Sequence, residues 1–246
     1  MLSRDQSSQV AELIARLRHR PLVLEEWGFA AKIGKGNGVA ALFSGPPGTG
    51  KSMCAGLIAN ELGLDLYVVD GSKISSKWIG ETEKNLAALF DAAEASHAVL
   101  LFDEADALFG KRSDVKSSND KHANAEVSYL LQRVEHYSGI AILTSNHESA
   151  IDPAFQRRLA THVRFELPDA EERSALWKAM IPSTAPVAEG LDFERLADRY
   201  EMSGGYIKNA ALRAAFLAAD LSTPITLSLL EHAARAEYEA MGKIAT

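Results

Sequence analysis

The chain has 246 residues, of which 47% are hydrophobic and 24% charged, and its formal net charge is −7 at pH 7. This composition excludes a disordered chain, and the acidic balance argues against a broadly basic nucleic-acid-binding surface. The sequence has no apolar run of membrane-spanning length and no N-terminal signal-peptide pattern, which indicates a soluble, cytoplasmic protein with no membrane partner.

The first predicted element is an amphipathic helix within residues 1–26. Its apolar residues Val10, Leu13, Ile14 and Leu17 recur at helical spacing. Such a helix either packs on the main body of the chain or forms a contact to another domain or subunit. Both interpretations stay open at this point.

Strands and helices alternate regularly from residue 39 to residue 165. Continuous apolar, β-rich runs between helices favour a parallel α/β sheet covered by helices on both faces. The single cysteine, Cys54, lies in the first of these helices and is interpreted as a small buried residue rather than a reactive thiol. The predicted strands are 39–43, 66–70, 98–102, 140–144 and 162–165, and the predicted helices are 51–62, 81–95, 123–136 and a short one near 152–159.

Only helical periodicity follows Pro168. Asp169 and Glu172 form a predicted capping box, and helices are predicted at 170–180, 192–200, 205–220 and 227–240. We therefore predict an α/β domain at 27–168 and a small helical domain at 169–246.

A phosphate-binding loop is predicted at Gly45–Ser52, because GPPGTGKS fits the pattern G-x-x-x-x-G-K-[ST] between a strand and a helix. Glycines let backbone N–H groups turn toward phosphate oxygens, and the helix N-terminus adds its dipole. Lys51 is expected to reach the β- and γ-phosphates of a nucleoside triphosphate, and the Ser52 hydroxyl to bind Mg²⁺.

Two adjacent carboxylates end the strand VLLFD, and a neutral amide follows the strand IAILTS. Asp103 is expected to hold the Mg²⁺ shell, and Glu104 to polarise the water that attacks the γ-phosphate. Asn146 is expected to orient this water or contact the γ-phosphate.

The motifs GPPGTGKS, LLFDEAD, LTSN and DPAFQRRL, in this order, resemble those of the AAA+ ATPases and, within them, the AAA group of protein-remodelling machines. The resemblance extends from about Trp27 to Met241. It implies a Rossmann-like sheet domain with a helical lid, ATP bound between them, and a homo-oligomeric ring, usually a hexamer, acting on a protein substrate.

By this resemblance, Asn146 corresponds to the sensor-1 residue, and Arg157 and Arg158 to arginine fingers that complete the site of a neighbouring subunit. An exposed basic helix end is the alternative interpretation of the arginine pair. The segment reads RRLA rather than the RPGR form common in the group, so which arginine acts stays open. Tyr206 stands where other AAA+ groups place the sensor-2 arginine, which agrees with the AAA group.

SSKWIGETEKNL resembles the substrate-gripping pore loop of protein-translocating rings, with Lys77, Trp78, Ile79 and Gly80 as its central residues. A large aromatic offers contact area that tolerates many substrate sequences. Burial of Trp78 in the core is the alternative. The polar stretch 110–124 is either a second pore loop or a surface loop.

The resemblance also implies the set of nucleotide contacts. The adenine is expected against Trp27, Gly28 and Phe29 and near Ile207 of the lid. The remaining expected ATP contacts are Pro46, Pro47, Gly48, Thr49, Gly50, Lys51, Ser52, Met53 and Asp103. WGFAAK, FDEADALFGKR and AEVSYLLQR further resemble single-module AAA proteins encoded with bacterial phage-tail-like contractile injection systems.

Two other functions remain as alternatives. A small-molecule kinase would share the phosphate loop, but the acidic pair, Asn146 and the arginine pair count against it. A DNA-processing AAA+ loader would need a basic recognition element, and the acidic balance counts against it.

Overall fold

The computed structural model describes residues 2–33, 38–70, 81–107, 128–151, 156–157 and 159–243. It divides into two compact units. We call Leu2–Gly45 with Lys51–Phe165 the sheet unit, and Pro46–Gly50 with Glu166–Thr246 the helical unit. The loop residues Pro46–Gly50 thus belong, by their contacts, with the C-terminal helices.

A five-stranded, wholly parallel sheet forms the centre of the sheet unit, in the order β2-β3-β4-β1-β5. This confirms the predicted fold class. The strands are β1 (Val39–Ser44), β2 (Leu66–Asp70), β3 (Val99–Asp103), β4 (Ile140–Ser145) and β5 (Thr161–Arg164). The helices of this unit are α1 (Arg4–Arg18), α2 (Ala30–Ile33), α3 (Lys51–Leu62), α4 (Glu81–Ser96) and α5 (128–136), with a π-helical turn at Leu22–Glu26 and short 3₁₀ turns at Ala105–Ala107 and Glu148–Ala150.

Both faces of the sheet are apolar, because successive strand residues point to opposite sides. Leu100 and Phe102 of β3 pack with α4 and α5, whereas Leu101 packs on the other face with α1 and α3. Burial on both faces explains why the strands read as continuous hydrophobic runs.

Helix α1 packs on the sheet unit, which resolves the two interpretations of the first segment. Val10, Leu13 and Leu17 are buried in the same cluster as β1 and β5, and the Gln6 side chain donates to the carbonyl of Arg164 at 2.9 Å. Ser3 and Gln6 form a capping box that begins the helix.

The helical unit has its own core. Its helices are α6 (Ala170–Met180), α7 (Phe193–Arg199), α8 (Gly204–Asp220) and α9 (Leu227–Ala240). Trp177 and Tyr200 are fully buried among alanines of α8 and α9. The Asp169–Glu172 capping box is present, with Glu172 N–H donating to Asp169 Oδ1 at 2.8 Å.

Candidate nucleotide site

The carboxyl ends of β1, β3 and β4 lie side by side in the sheet unit. Ser44 pairs with Ser145 in the register of β1 with β4, and Phe102 pairs with Leu143 in that of β3 with β4. The residues that follow each strand therefore meet at one edge of the sheet, where ligands of open α/β folds bind.

Lys51 lies at this edge, at the start of α3. Its ammonium donates to the Gly45 carbonyl at 2.7 Å and to Asn146 Oδ1 at 2.9 Å. Burial lowers the pKa of Lys51 below its ordinary value, and the charges of Asp103 and Asp106 partly oppose that shift. Lys51 and Asn146 are thus in direct contact, although they belong to two separate sequence motifs.

Ser52 and Asp103 are also in contact, since the Ser52 hydroxyl donates to Asp103 Oδ1 at 2.8 Å. A hydroxyl and a carboxylate placed together are oxygen ligands suited to Mg²⁺, which is usually bound by one or two carboxylates plus waters and phosphates. Within the described ranges, no group of three or more His, Cys, Asp or Glu side chains forms a metal site. The Ser52–Asp103 pair fits a metal that takes its remaining ligands from water and phosphate oxygens.

Thr144 holds the two acidic residues in place, and the sequence motifs did not single it out. Its hydroxyl donates to Asp103 Oδ1 and accepts the backbone N–H of Glu104 at 3.2 Å. The pairing of β3 with β4 would have predicted this contact. Phe102 pairs with Leu143, so the next residues along the two strands, Asp103 and Thr144, lie side by side.

Glu104 has a left-handed backbone, with φ of 53°. This region is uncommon for residues other than glycine and concentrates at functional sites. Asp103 continues the strand, whereas Glu104 turns away from it and is exposed. The backbone thus gives two adjacent carboxylates different directions.

The loop Pro46–Gly50 is held within the helical unit. The Gly205 N–H donates to the Gly48 carbonyl at 2.9 Å, and Thr49 Oγ1 donates to the Pro46 carbonyl at 2.8 Å. A Cβ on Gly48, whose φ is 74°, would come within 2.5 Å of Ser203 Oγ. Only glycine fits this position without displacing its neighbour.

The residues expected near the adenine have different surroundings. Trp27 and Phe29 are exposed by 64% and 53%, and Gly28 has a left-handed φ of 76°. Met53 is exposed by 65% on α3, while Ile207 is fully buried in the core of the helical unit. Their contact with adenine stays a prediction.

Several expected residues lie outside the described residues: Lys77, Trp78, Ile79, Gly80, Arg158 and the stretch 110–124. Arg157 is described and exposed. Cys54 is buried, and burial raises the pKa of its thiol to about 11. A thiol with this pKa stays protonated near neutral pH, which supports the interpretation of Cys54 as an inert core residue.

The model of the ATPase family associated with various cellular activities (AAA) matches residues 41–167 of the chain. The chain belongs to this family. The match begins within β1 and includes the other strands, the acidic pair and the amide whose geometry is given above, and it identifies the chain as an ATPase of this family.

Relatives support the assignment to the AAA family. The chain is 33% identical over 207 residues to the cell division cycle protein 48 homolog of Archaeoglobus fulgidus, which covers 80% of the chain and 27% of that protein. It is 32% identical over 169 residues to Protein SAV of Sulfolobus acidocaldarius, covering 67% of the chain and 21% of that protein. It is also 32% identical over 167 residues to vacuolar protein sorting-associated protein 4 of Dictyostelium discoideum, covering 67% of the chain and 38% of that protein. The chain thus spans well under half the length of these curated relatives.

No helix in the described ranges is both long enough and apolar enough to cross a membrane.

Proposed function

We propose that this AAA ATPase hydrolyses ATP with Mg²⁺ at a site completed by a neighbouring copy of the chain, and uses the energy to remodel or thread a protein substrate. The contacts of Lys51 with Asn146 and of Ser52 with Asp103 support the proposal, because these are the side chains expected to bind phosphate, bind the metal and sense the γ-phosphate, and they touch one another in the sheet unit. The division into domains at 27–168 and 169–246, the cytoplasmic location and the link to contractile injection systems stay predictions.

The roles of the side chains follow from their chemistry. Lys51 binds the phosphates, and its contact with Asn146 gives way as ATP oxygens take its place. Mg²⁺, held by Ser52 and Asp103, would neutralise phosphate charge when bound. Glu104 accepts the proton of the attacking water, which Asn146 helps to orient.

A neighbouring subunit would supply the last charge. An arginine that reaches the γ-phosphate stabilises the charge that develops during transfer and accelerates hydrolysis by about 10³-fold or more. Arg157 is exposed, as a residue that acts on another subunit must be. Arg158 is the other candidate for this role.

Protein substrates are favoured over the two alternatives. Membership of the AAA family favours hydrolysis over phosphate transfer to a small molecule. The net charge of −7 disfavours a DNA-processing loader, since such proteins gain affinity from basic surfaces.

The first experiment is the ATPase rate per subunit over a wide range of protein concentration. We expect the rate per subunit to rise with concentration, because each site needs an arginine from a neighbour. Arg157→Ala or Arg158→Ala should abolish this rise, and mixing with Glu104→Gln subunits should restore activity. Arg4→Ala, at an exposed arginine of α1, is the matched control. A flat, substantial rate down to the monomer would contradict the shared site.

A further inference from the structure

A polar cluster lies beside the nucleotide site and has no role in the proposal above. It consists of Ser44 at the end of β1, His162 and Arg164 on β5, and Glu148 in the turn after β4. His162 Nε2 is 2.8 Å from Ser44 Oγ, and His162 Nδ1 is 3.8 Å from Glu148 Oε1. Arg164 donates to Glu148 Oε2 at 3.0 Å.

The cluster has the residue types of a serine hydrolase triad, but the burial of its serine excludes that chemistry. Ser44 is only 1% exposed, so no substrate carbonyl can reach its hydroxyl. Ser44 Oγ also lies 3.5 Å from Glu148 Oε2, so Ser44 is hydrogen-bonded to both His162 and Glu148, which themselves approach only to 3.8 Å. Such a group fixes the positions of the backbone segments that carry it.

Two of those segments hold Lys51. Ser44 precedes Gly45, and Glu148 lies two positions after Asn146; the Gly45 carbonyl and Asn146 Oδ1 both accept from the Lys51 ammonium. The Gly45 N–H also donates to the Ser145 carbonyl at 3.1 Å. Displacement of Glu148 or Ser44 therefore moves an acceptor of Lys51.

The main chain of Glu148 makes a contact on its other side. Its carbonyl accepts from Gln156 Nε2 at 3.0 Å, and Gln156 directly precedes Arg157. One residue thus contacts the segments of the phosphate site through its side chain and the arginine segment through its backbone.

We propose that Glu148, with His162 and Ser44, is a positioning residue that links the chain's own phosphate site to the arginine it offers to a neighbouring subunit. This rests on the proposed function, because Arg157 must act on a neighbour. Arg164 adds charge to the cluster but is 68% exposed, so its ion pair contributes little to stability.

The single-variant test separates binding from turnover. Glu148→Ala and His162→Ala should lower kcat about tenfold, as expected for the loss of one positioning hydrogen bond, and leave the ATP dissociation constant within about threefold. Glu61→Ala is the matched control, because it removes an Arg18–Glu61 ion pair of 2.9 Å that is separate from the cluster. Unchanged kcat in both folded variants overturns the proposal.

Mixed oligomers test the link to Arg157. Acceptor subunits carry Arg157→Ala and Arg158→Ala but keep Glu104, and donor subunits carry Glu104→Gln but keep both arginines. The mixture therefore hydrolyses ATP only at an acceptor site that receives an arginine from a donor subunit. Glu148→Ala should lower the rate when placed in either subunit type. A loss confined to the acceptor overturns the link.

Two further outcomes are distinguishable. If the mixture without Glu148→Ala is inactive, the shared site fails and the link fails with it. If that mixture is active and Glu148→Ala in the donor has no effect, only the link fails. Thermal unfolding of each variant identifies a folding defect, and His162→Ala, which leaves the Glu148 side chain in place, serves as the second variant.

Discussion

Glu104 is exposed and has a left-handed backbone, and its N–H is held by Thr144. This conformation costs of order 1–3 kcal/mol, and it directs the side chain where a residue with extended strand geometry could not. The side chain does not stabilise the fold through burial, so its substitution tests chemistry alone.

Glu104→Gln should retain ATP binding and lower the rate of hydrolysis by about 10²-fold or more, because it keeps the volume of the side chain and removes the base. Phosphate release and ATP titration measure the two effects separately. Glu12→Gln, at an exposed residue of α1, is the control. A rate near that of the unmodified protein would remove Glu104 from this role.

Gly48→Ala should weaken ATP binding by about tenfold or more, because the new Cβ meets Ser203 Oγ and the φ of 74° disfavours alanine. Gly63→Ala is a matched control, since Gly63 has a φ of 67° and nothing within 4 Å of its Cβ position. We expect Gly63→Ala to lower the free energy of unfolding by about 1 kcal/mol and leave ATP affinity unchanged. Equal ATP affinity in the two variants would show that the short distance between residue 48 and Ser203 is not needed for ATP binding. Nucleotide titration with thermal unfolding makes the comparison.

At the scale of elements, α1 contributes to the core of the sheet unit through one apolar face. Leu13 is fully buried between this helix and the sheet. The Gln6 side chain joins the helix to β5, and Arg16 makes a long hydrogen bond of 3.5 Å to the carbonyl of Ala160, the residue before β5. The apolar contacts decide its stability, because the polar ones are exposed.

Leu13→Ala should lower the free energy of unfolding by about 2–5 kcal/mol, through lost burial and the cavity left behind. Glu12→Ala on the exposed face should change it by about 0.5 kcal/mol or less. Denaturant titration measures both. If the two variants unfold alike, α1 does not dock on the sheet in solution.

The sequence predicts elements well where burial controls the pattern. β2 was predicted at its observed bounds, and β1, β3, β4 and β5 within one residue, because two-sided burial requires continuous apolar runs. The Asp169–Glu172 capping box was predicted correctly, because it depends on local hydrogen bonds between residues three positions apart, whereas the Ser3–Gln6 box was missed. The π-helical turn at Leu22–Glu26 was missed, since no such periodicity stands out over five residues.

The site was predicted only in part, for a related reason. The phosphate loop and the acidic pair are local motifs, so the sequence contains them whole. The contacts among Ser44, Glu148 and His162 join residues over one hundred positions apart along the chain for two of the three pairs. Such contacts depend on strand order, which a motif does not specify.

At the scale of the whole molecule, each unit has a separate core, and the buried Arg173 helps to build that of the helical unit. Its guanidinium donates to the carbonyls of Ala197 at 2.8 Å and Pro168 at 2.7 Å, which joins α6 to α7. A buried charge must be hydrogen-bonded, and these two carbonyls satisfy it.

The proposed work on a protein substrate gives a prediction for the assembled protein. Trp78→Ala should leave the basal ATPase rate largely intact and abolish substrate unfolding, because the aromatic contact area that grips a polypeptide is lost. Trp78→Phe keeps an aromatic ring and should retain most of the unfolding activity. A fluorescent unfolding substrate and thermal unfolding give the two readouts; loss of the fold would instead place Trp78 in the core.

The hydrogen bond from the Gly205 N–H to the Gly48 carbonyl allows hydrogen exchange at one amide to report on the loop Pro46–Gly50. A backbone N–H bonded to a protein carbonyl exchanges with deuterated solvent only when that bond opens. The Gly48 carbonyl belongs to the loop that is predicted to bind the phosphates, while the exchanging proton belongs to α8, more than 150 positions later in the chain. Deuterium uptake at Gly205 therefore measures how often the loop opens, with no dye or spin label attached to the protein. Uptake at the other amides of α8, measured at the same time, is the internal reference.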